Sequence, residues 1–329
     1  MRLDELKSWY EKNHLSEDQF DVAVEFLTGI DCFLETYFQT DLDHIGITEL
    51  DEVVSFMVIS NLNQVMHFVI LMRYYKMLNH HENFIRLTQY TGGYGVVDSI
   101  LEKLTSVAGK SVTEALLKDI ELPVLGTNPS LITTFTKTFI TWLEDHLEES
   151  QLRQVLACNH HRIPKEALIE ERVFYEASPT LEIYLKDLHD RKVNELEAFQ
   201  KEGKIWYEQT ITPEVVQFVK NNQEIMSAVL KDDALYITKI PYDTKKFLEA
   251  KTTADENYYL CHCPFAREVI KKKNETISAN WCYCSGGFTK FPFDIIFDQS
   301  LEIELLSSAL KGDGLCRFKI DLTGIDYKK

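Results

Sequence analysis

Four cysteines set in two Cys-x-Cys pairs carry the strongest chemical signal in this chain of 329 residues. Cys261 and Cys263 lie in "LCHCPF", and Cys282 and Cys284 lie in "NWCYCSGGF". In an extended strand, residues two apart point to the same face. Two such strands side by side would bring four sulfurs together. Converging thiolates bind zinc tetrahedrally at roughly 2.3 Å, so one reading makes Cys261, Cys263, Cys282 and Cys284 the ligands of a zinc ion. Zinc knuckles usually place Cys-x-x-Cys on a tight turn, however. The other reading is metal-free, with Cys261, Cys282 and Cys284 lining a ligand pocket.

Cys263 has a second claim. Pro264 follows it and suits the first position of a helix over "FAREVIKKK", with Lys271, Lys272 and Lys273 complementing its end. A cysteine at that N-cap would meet free N–H groups and a favourable dipole, which lower a thiol pKa. Cys263 is therefore the expected nucleophile and the first thiol to alkylate. Cys316 alternates with Phe318 and Ile320 and reads as a core residue whose pKa burial would raise. In "CNHHRIP", His160 is the candidate general base, and its neighbour His161 would diverge from it. His262, between two inward cysteines, should face the other way. Trp206 and Tyr242 are candidate pocket walls, where aromatic and polar groups meet. The Gly-x-Ser-x-Gly elbow, the P-loop and the His-Glu-x-x-His helix do not occur.

Composition places these residues in a globular setting: 45% hydrophobic, 26% charged, net charge −17. The first 52 residues hold fourteen acids against three bases, a field that repels a phosphate backbone; nucleic acid is excluded as a partner. The most apolar window, residues 53–72, contains Ser55, Ser60, Asn61, Asn63, Gln64 and His67, so a buried helix is expected there and no membrane span. "RLDELKSWYEK" lacks the apolar run of a signal peptide. Seven cysteines are an odd number, which argues against a disulfide framework. A cytoplasmic protein is expected.

The positioning elements divide by texture. Residues 1–160 read as an all-helical domain. Ser16 and Gln19 have capping-box spacing, and Phe20, Val24, Leu27, Leu34 and Phe38 share a face. Further helices are expected over 49–60, 61–79, 95–108, 111–119, 130–146 and 148–157, with "YTGGYG" as a helix–helix turn. Residues 161–329 read as an α+β cysteine-rich ligand-binding domain. Ser178-Pro179 opens a helix ended by Gly203, and Thr212-Pro213 opens another running to Leu230. From Ala234 the strand candidates are "ALYITKI", "NYYLCHC", "NWCYC", "SLEIELL" and "LCRFKIDL", the last two joined through Gly312-Asp313-Gly314. The fold class is α+β, with a small, mainly antiparallel sheet of four or five strands plus helices.

Cys263-Pro264, Cys282, Cys284, and then Ser308, Leu310, Gly312, Asp313, Cys316 and Phe318 form a pattern over roughly the last hundred residues. It resembles the C-terminal part of the 4-vinyl reductase-type domain and of the L-2-amino-thiazoline-4-carboxylic acid hydrolase-like family. The resemblance implies a bacterial protein with a small α+β ligand-binding module whose cysteines bind metal or take part in hydrolysis. The doubled Cys-x-Cys pairs and the long helical first half depart from that pattern. Two functions follow. In the first, a cytosolic protein binds a small molecule in a cysteine-lined pocket and hydrolyses a C–N or C–S bond there. In the second, a non-enzymatic sensor or interaction protein uses its acidic helical half, and its cysteines are structural or hold zinc.

Overall fold

The computed structural model describes residues 1–272 and 274–329; of the three lysines expected to close a helix, Lys273 lies outside the described residues. The chain forms two compact units, Met1–Tyr94 with Leu122–Ile132, and Gly95–Glu121 with Thr133–Lys329. The sequence division at residue 160 separates a helical stretch from a mixed one, whereas in space the helices of 96–119 and 149–156 belong to the second unit. The protein is α+β. Among the described residues no helix is long and apolar enough to cross a membrane.

The first unit holds α1 (Leu3–Lys12), α2 (Glu17–Phe38), α3 (Ile47–Ile59), α4 (Val65–Met77) and α5 (His81–Thr91). α2 begins where the sequence places it. Ser16 Oγ accepts from the Gln19 N–H at 3.2 Å and Gln19 Oε1 accepts from the Ser16 N–H at 3.0 Å, a reciprocal cap worth about 1 kcal/mol. Its inward residues Leu27, Ile30 and Leu34 join Met57, Phe68 and Leu71 in one core. Gly29 sits mid-helix on the solvent side, and a Cβ there would meet nothing within 4 Å. Gly29→Ala should therefore raise stability by about 0.5–1 kcal/mol through reduced freedom of the unfolded chain, read as a higher denaturation midpoint.

The second unit continues with α6 (Val96–Ala108), α7 (Lys110–Asp119), α8 (Pro129–His146, from Thr133 onwards), α9 (Glu149–Leu156), α10 (Ile169–Ala177) and α11 (Leu181–Glu202). α11 is capped by Thr180, whose Oγ1 accepts from the Ile183 N–H at 3.3 Å; Ser178, the expected cap, instead closes α10 by donating to Phe174 O. Gly203 ends α11 in the left-handed conformation, as expected. Then come the short strands β1 (Ile205–Trp206) and β2 (Gln209–Thr210), α12 (Pro213–Lys220), β3 (Val229–Lys231), β4 (Ala234–Thr238), α13 (Thr244–Glu249), α14 (Thr253–Leu260), α15 (Cys282–Ile296), β5 (Glu302–Ser307) and β6 (Arg317–Asp321). α12 stops at Lys220 and does not reach Leu230.

The main sheet has the order β3-β4-β6-β5, every pairing antiparallel. Thr238 pairs with Arg317 and Leu305 with Phe318, and the turn through Gly312-Asp313-Gly314 joins the last two strands as expected. Two expected strands are not strands. "NYYLCHC" is the end of α14 followed by a loop, and "NWCYC" is a 3-10 turn (Ala279–Trp281) running into α15. α15 packs on β5, and its double glycine explains how closely. A Cβ on Gly286 would stand 3.2 Å from Phe318 Cε1 on one side. A Cβ on Gly287 would stand 2.2 Å from Cys158 O and 2.4 Å from Cys158 N on the other. The helix is held between the sheet and the end of α9, where only glycine leaves room.

Candidate functional site

Because Cys261 and Cys263 lie in a loop and Cys282 and Cys284 in the first turn of α15, strand alternation does not set their directions. Among the described residues no group of three or more His, Cys, Asp or Glu side chains is arranged to hold a metal ion. The strand argument for zinc on Cys261, Cys263, Cys282 and Cys284 thus loses its geometric basis. All seven cysteines are free thiols.

The cysteines nevertheless gather, and with a partner the sequence did not single out. Lys239, just beyond β4, places its ammonium among the sulfurs of Cys316, Cys261, Cys263 and Cys284. Among the described residues it has one hydrogen-bond partner, Ser285 Oγ at 2.8 Å, and no carboxylate; the Phe288 ring lies 5.2 Å away. Burial pulls the Lys239 pKa below that of an ordinary lysine, opposed by the nearby sulfurs. The signal for it is legible in retrospect. In "ALYITKI", Leu235, Ile237 and Lys239 alternate on one strand face, so a lysine ends a buried stripe.

Cys263 is the best-supported sulfur of the group. Its Sγ accepts the indole N–H of Trp281 at 3.2 Å, and the backbone N–H groups of Phe265 and Ala266 also point at it. Pro264 opens a turn leading into a 3-10 helix, Arg267–Lys271, in place of the expected α-helix. The donors of the cap argument are present, but burial outweighs them and the Cys263 pKa is raised. The expected thiolate is corrected on that point. Cys282, whose sulfur lies 3.2 Å from Ser308 Oγ, is pushed up to about 12 by burial. Burial also raises Cys261, Cys284 and Cys316, and Cys316 Sγ accepts from the Ala309 N–H at 3.4 Å. Trp281→Phe keeps the ring and deletes the N–H donor. Hydrogen bonds to charged groups are worth roughly 1.5–3 kcal/mol, so alkylation of Cys263 at fixed pH should slow about tenfold or more while Cys32 is unaffected.

His160 is not placed to act as a base. It is 1% exposed, with Nε2 2.7 Å from Val155 O and Nδ1 3.1 Å from Ser99 Oγ. Burial lowers its pKa to about 4; both nitrogens are committed and the ring is a neutral structural link. His161 instead stands edge-on to Phe288, 5.3 Å between centroids. His262, expected to face away, lies at the cluster. Its Nε2 donates to Ile240 O at 2.6 Å, and burial, then the charge of Lys239, lower its pKa to about 3. Tyr242 belongs to this neighbourhood, 5.7 Å from the His262 ring. Trp206 does not. Its indole donates to Glu195 Oε1 at 2.8 Å and it packs with Val193, Leu196 and Val215. Of the basic residues after Arg267, Lys271 lies 3.8 Å from the Tyr258 ring centre and Lys272 donates to Thr133 Oγ1 at 3.0 Å.

Residues 245–326 match a family described as a family of unknown function (DUF6144). That segment contains all five clustered cysteines but not Lys239. No curated protein and no solved structure matches the chain.

Proposed function

We propose that the second unit binds a small molecule at the thiol cluster around Lys239, in a reducing, cytoplasmic setting, and that Cys263 attacks a C–N or C–S bond of that molecule. The observation that carries this reading is the part-buried ammonium of Lys239, set near sulfurs with one neutral partner and, among the described residues, no carboxylate. A lysine partly withdrawn from water is normally paired with a carboxylate, because an uncompensated charge loses hydration without a Coulombic return. Perturbed titratable groups concentrated in one place, with a nucleophile among them, mark functional sites. Phe288 is 40% exposed and His161 is also exposed, so the approach runs along their rings to Lys239. In the reaction, Cys263 loses its proton to solvent, the Lys239 ammonium stabilising the thiolate, and attacks an acyl carbon. The amine or thiol leaves with a proton, and water then releases the acyl group.

The test uses an activated thioester, S-phenyl thioacetate. Thiophenol should be released with acetyl transiently on the Cys263 peptide, and Cys263→Ser or Lys239→Met should abolish both. Thiophenol release at the same rate from both variants would remove Cys263 and Lys239 from any reaction.

A further inference from the structure

Arg267 is the second cation of this region and the more deeply buried of the two. It is 3% exposed, and its Nε and Nη1 have no hydrogen-bond partner. The guanidinium is stacked on Tyr242, 3.9 Å from the ring centre, with Tyr258 at 5.2 Å. Glu268 Oε1 stands 3.9 Å from Nε, beyond hydrogen-bond reach, and accepts from Tyr258 OH at 2.7 Å. The two cations sit on crossing segments. Lys239 precedes Ile240 and Tyr242, and the loop carrying His262 and Arg267 crosses there, pinned by the 2.6 Å bond from His262 to Ile240 O. Two positive groups therefore lie near one histidine; Arg267 keeps Nε and Nη1 unanswered beside its Tyr242 contact, and Lys239 has only a hydroxyl. Buried donors are almost always satisfied in native proteins, and buried charges are matched by opposite charge.

We infer that Arg267, stacked on Tyr242, and Lys239, three residues before that tyrosine, hold the carboxylate of a small organic acid, so that the molecule taken by the thiol cluster is a carboxylate-bearing one. This rests on the small-molecule reading above and names its ligand class. Arg and Lys together suit a single planar anion. The remaining surroundings, Leu260, Phe265, Trp281 and Ala309, are apolar and buried, which fits a monoanion better than a phosphate needing several more donors. The carboxylate would also meet the bare Nδ1 face of a neutral His262, which repels it less than a second carboxylate would.

A pair of alkylating reagents of nearly equal size tests this on the intact protein. Iodoacetamide is neutral and iodoacetate carries a carboxylate; with either, the thiolate sulfur displaces iodide and the thiol proton passes to buffer. Rates at Cys263 are read by peptide mass spectrometry and divided by those of 2-mercaptoethanol, a neutral thiol. The expected result is an iodoacetate preference about tenfold above that of the free thiol, equivalent to about 1.4 kcal/mol, falling to the free-thiol value in Arg267→Gln. Propionate, a monoanion, should also slow iodoacetamide at Cys263 and not at Cys32, a measurement that needs no variant. An iodoacetate-to-iodoacetamide ratio equal to that of 2-mercaptoethanol, or no protection by propionate, overturns the carboxylate site while leaving a reactive thiol. A Cys263 inert to both reagents overturns the thiol-site reading itself, and the carboxylate site with it.

Discussion

Gly287→Ala is expected to cost about 3 kcal/mol or more, lowering the melting temperature of the second unit by roughly 6–12 °C. The added methyl would fall 2.2 Å from Cys158 O and 2.7 Å from Ala157 C. Both are backbone, so no side-chain rotation relieves the overlap. Either α15 lifts from the end of α9 or it lifts from the sheet. Gly286→Ala provides the scale. Its nearest atom, Phe318 Cε1 at 3.2 Å, belongs to a ring that can tilt, so the loss should be about 1 kcal/mol. Scanning calorimetry of the two variants decides it. A Gly287→Ala protein melting within about one degree of the parent would show that the two helices are not in such close contact.

The second large effect is the loss of stability in acid. His160 and His262 are held neutral by burial, with pKa values of about 4 and about 3 against an ordinary 6.5. The unfolded chain takes up these protons first as pH falls. The stabilisation is thus complete above about 6.5 and drains away as pH drops towards the folded-state values. For His160 the full difference is about 3 kcal/mol, and His262 adds a comparable amount reduced by its partial exposure. The thiols act at the other end. With Cys282 at about 12 and the other four also raised, the unfolded chain ionises first above about pH 8.5, and stability falls as pH rises from there. Urea midpoints measured from about pH 4 to 7 should drop steeply in the parent. His160→Gln, whose amide can still donate to Val155 O, should flatten part of that slope. An unchanged slope would mean that His160 is not titrating differently in the folded and unfolded states.

The helical half was readable because its signals are local. Ser16 and Gln19 form the box their spacing announces, and of the expected α2 face Leu27 and Leu34 are buried and Phe20 and Val24 half-buried, while Phe38 at the helix end stays exposed. The strands of 234–238 and 302–321 were readable too, since alternation survives where one sheet face is buried. α15 was not readable, and its residues show why. Gly286, Gly287 and Pro292 all weaken a helix locally, and the cysteines and aromatics of "NWCYC" suit a strand. Tertiary contact overrides those preferences, because glycine is what the two close approaches require. The site was half readable. Cysteine spacing pointed to the loop and helix where the thiols gather, by an argument that assumed strands. Lys239, Arg267 and Trp281 were missed because each acts through neighbours distant in sequence, and His160 was chosen for its type although burial had already committed both its nitrogens.

The pairing of β4 with β6 has a consequence for the newly made chain. Thr238 meets Arg317, and the Lys239 N–H donates to Cys316 O at 2.9 Å, so everything between them must be synthesised before this seam can close. Such non-local pairing is slow, because the intervening loop's entropy is lost before its contacts form. During that interval five thiols are exposed to solvent oxidants and stray metal ions. The strand that covers them is made after the cysteines it covers, and a ribosome that stalls before residue 317 leaves them uncovered.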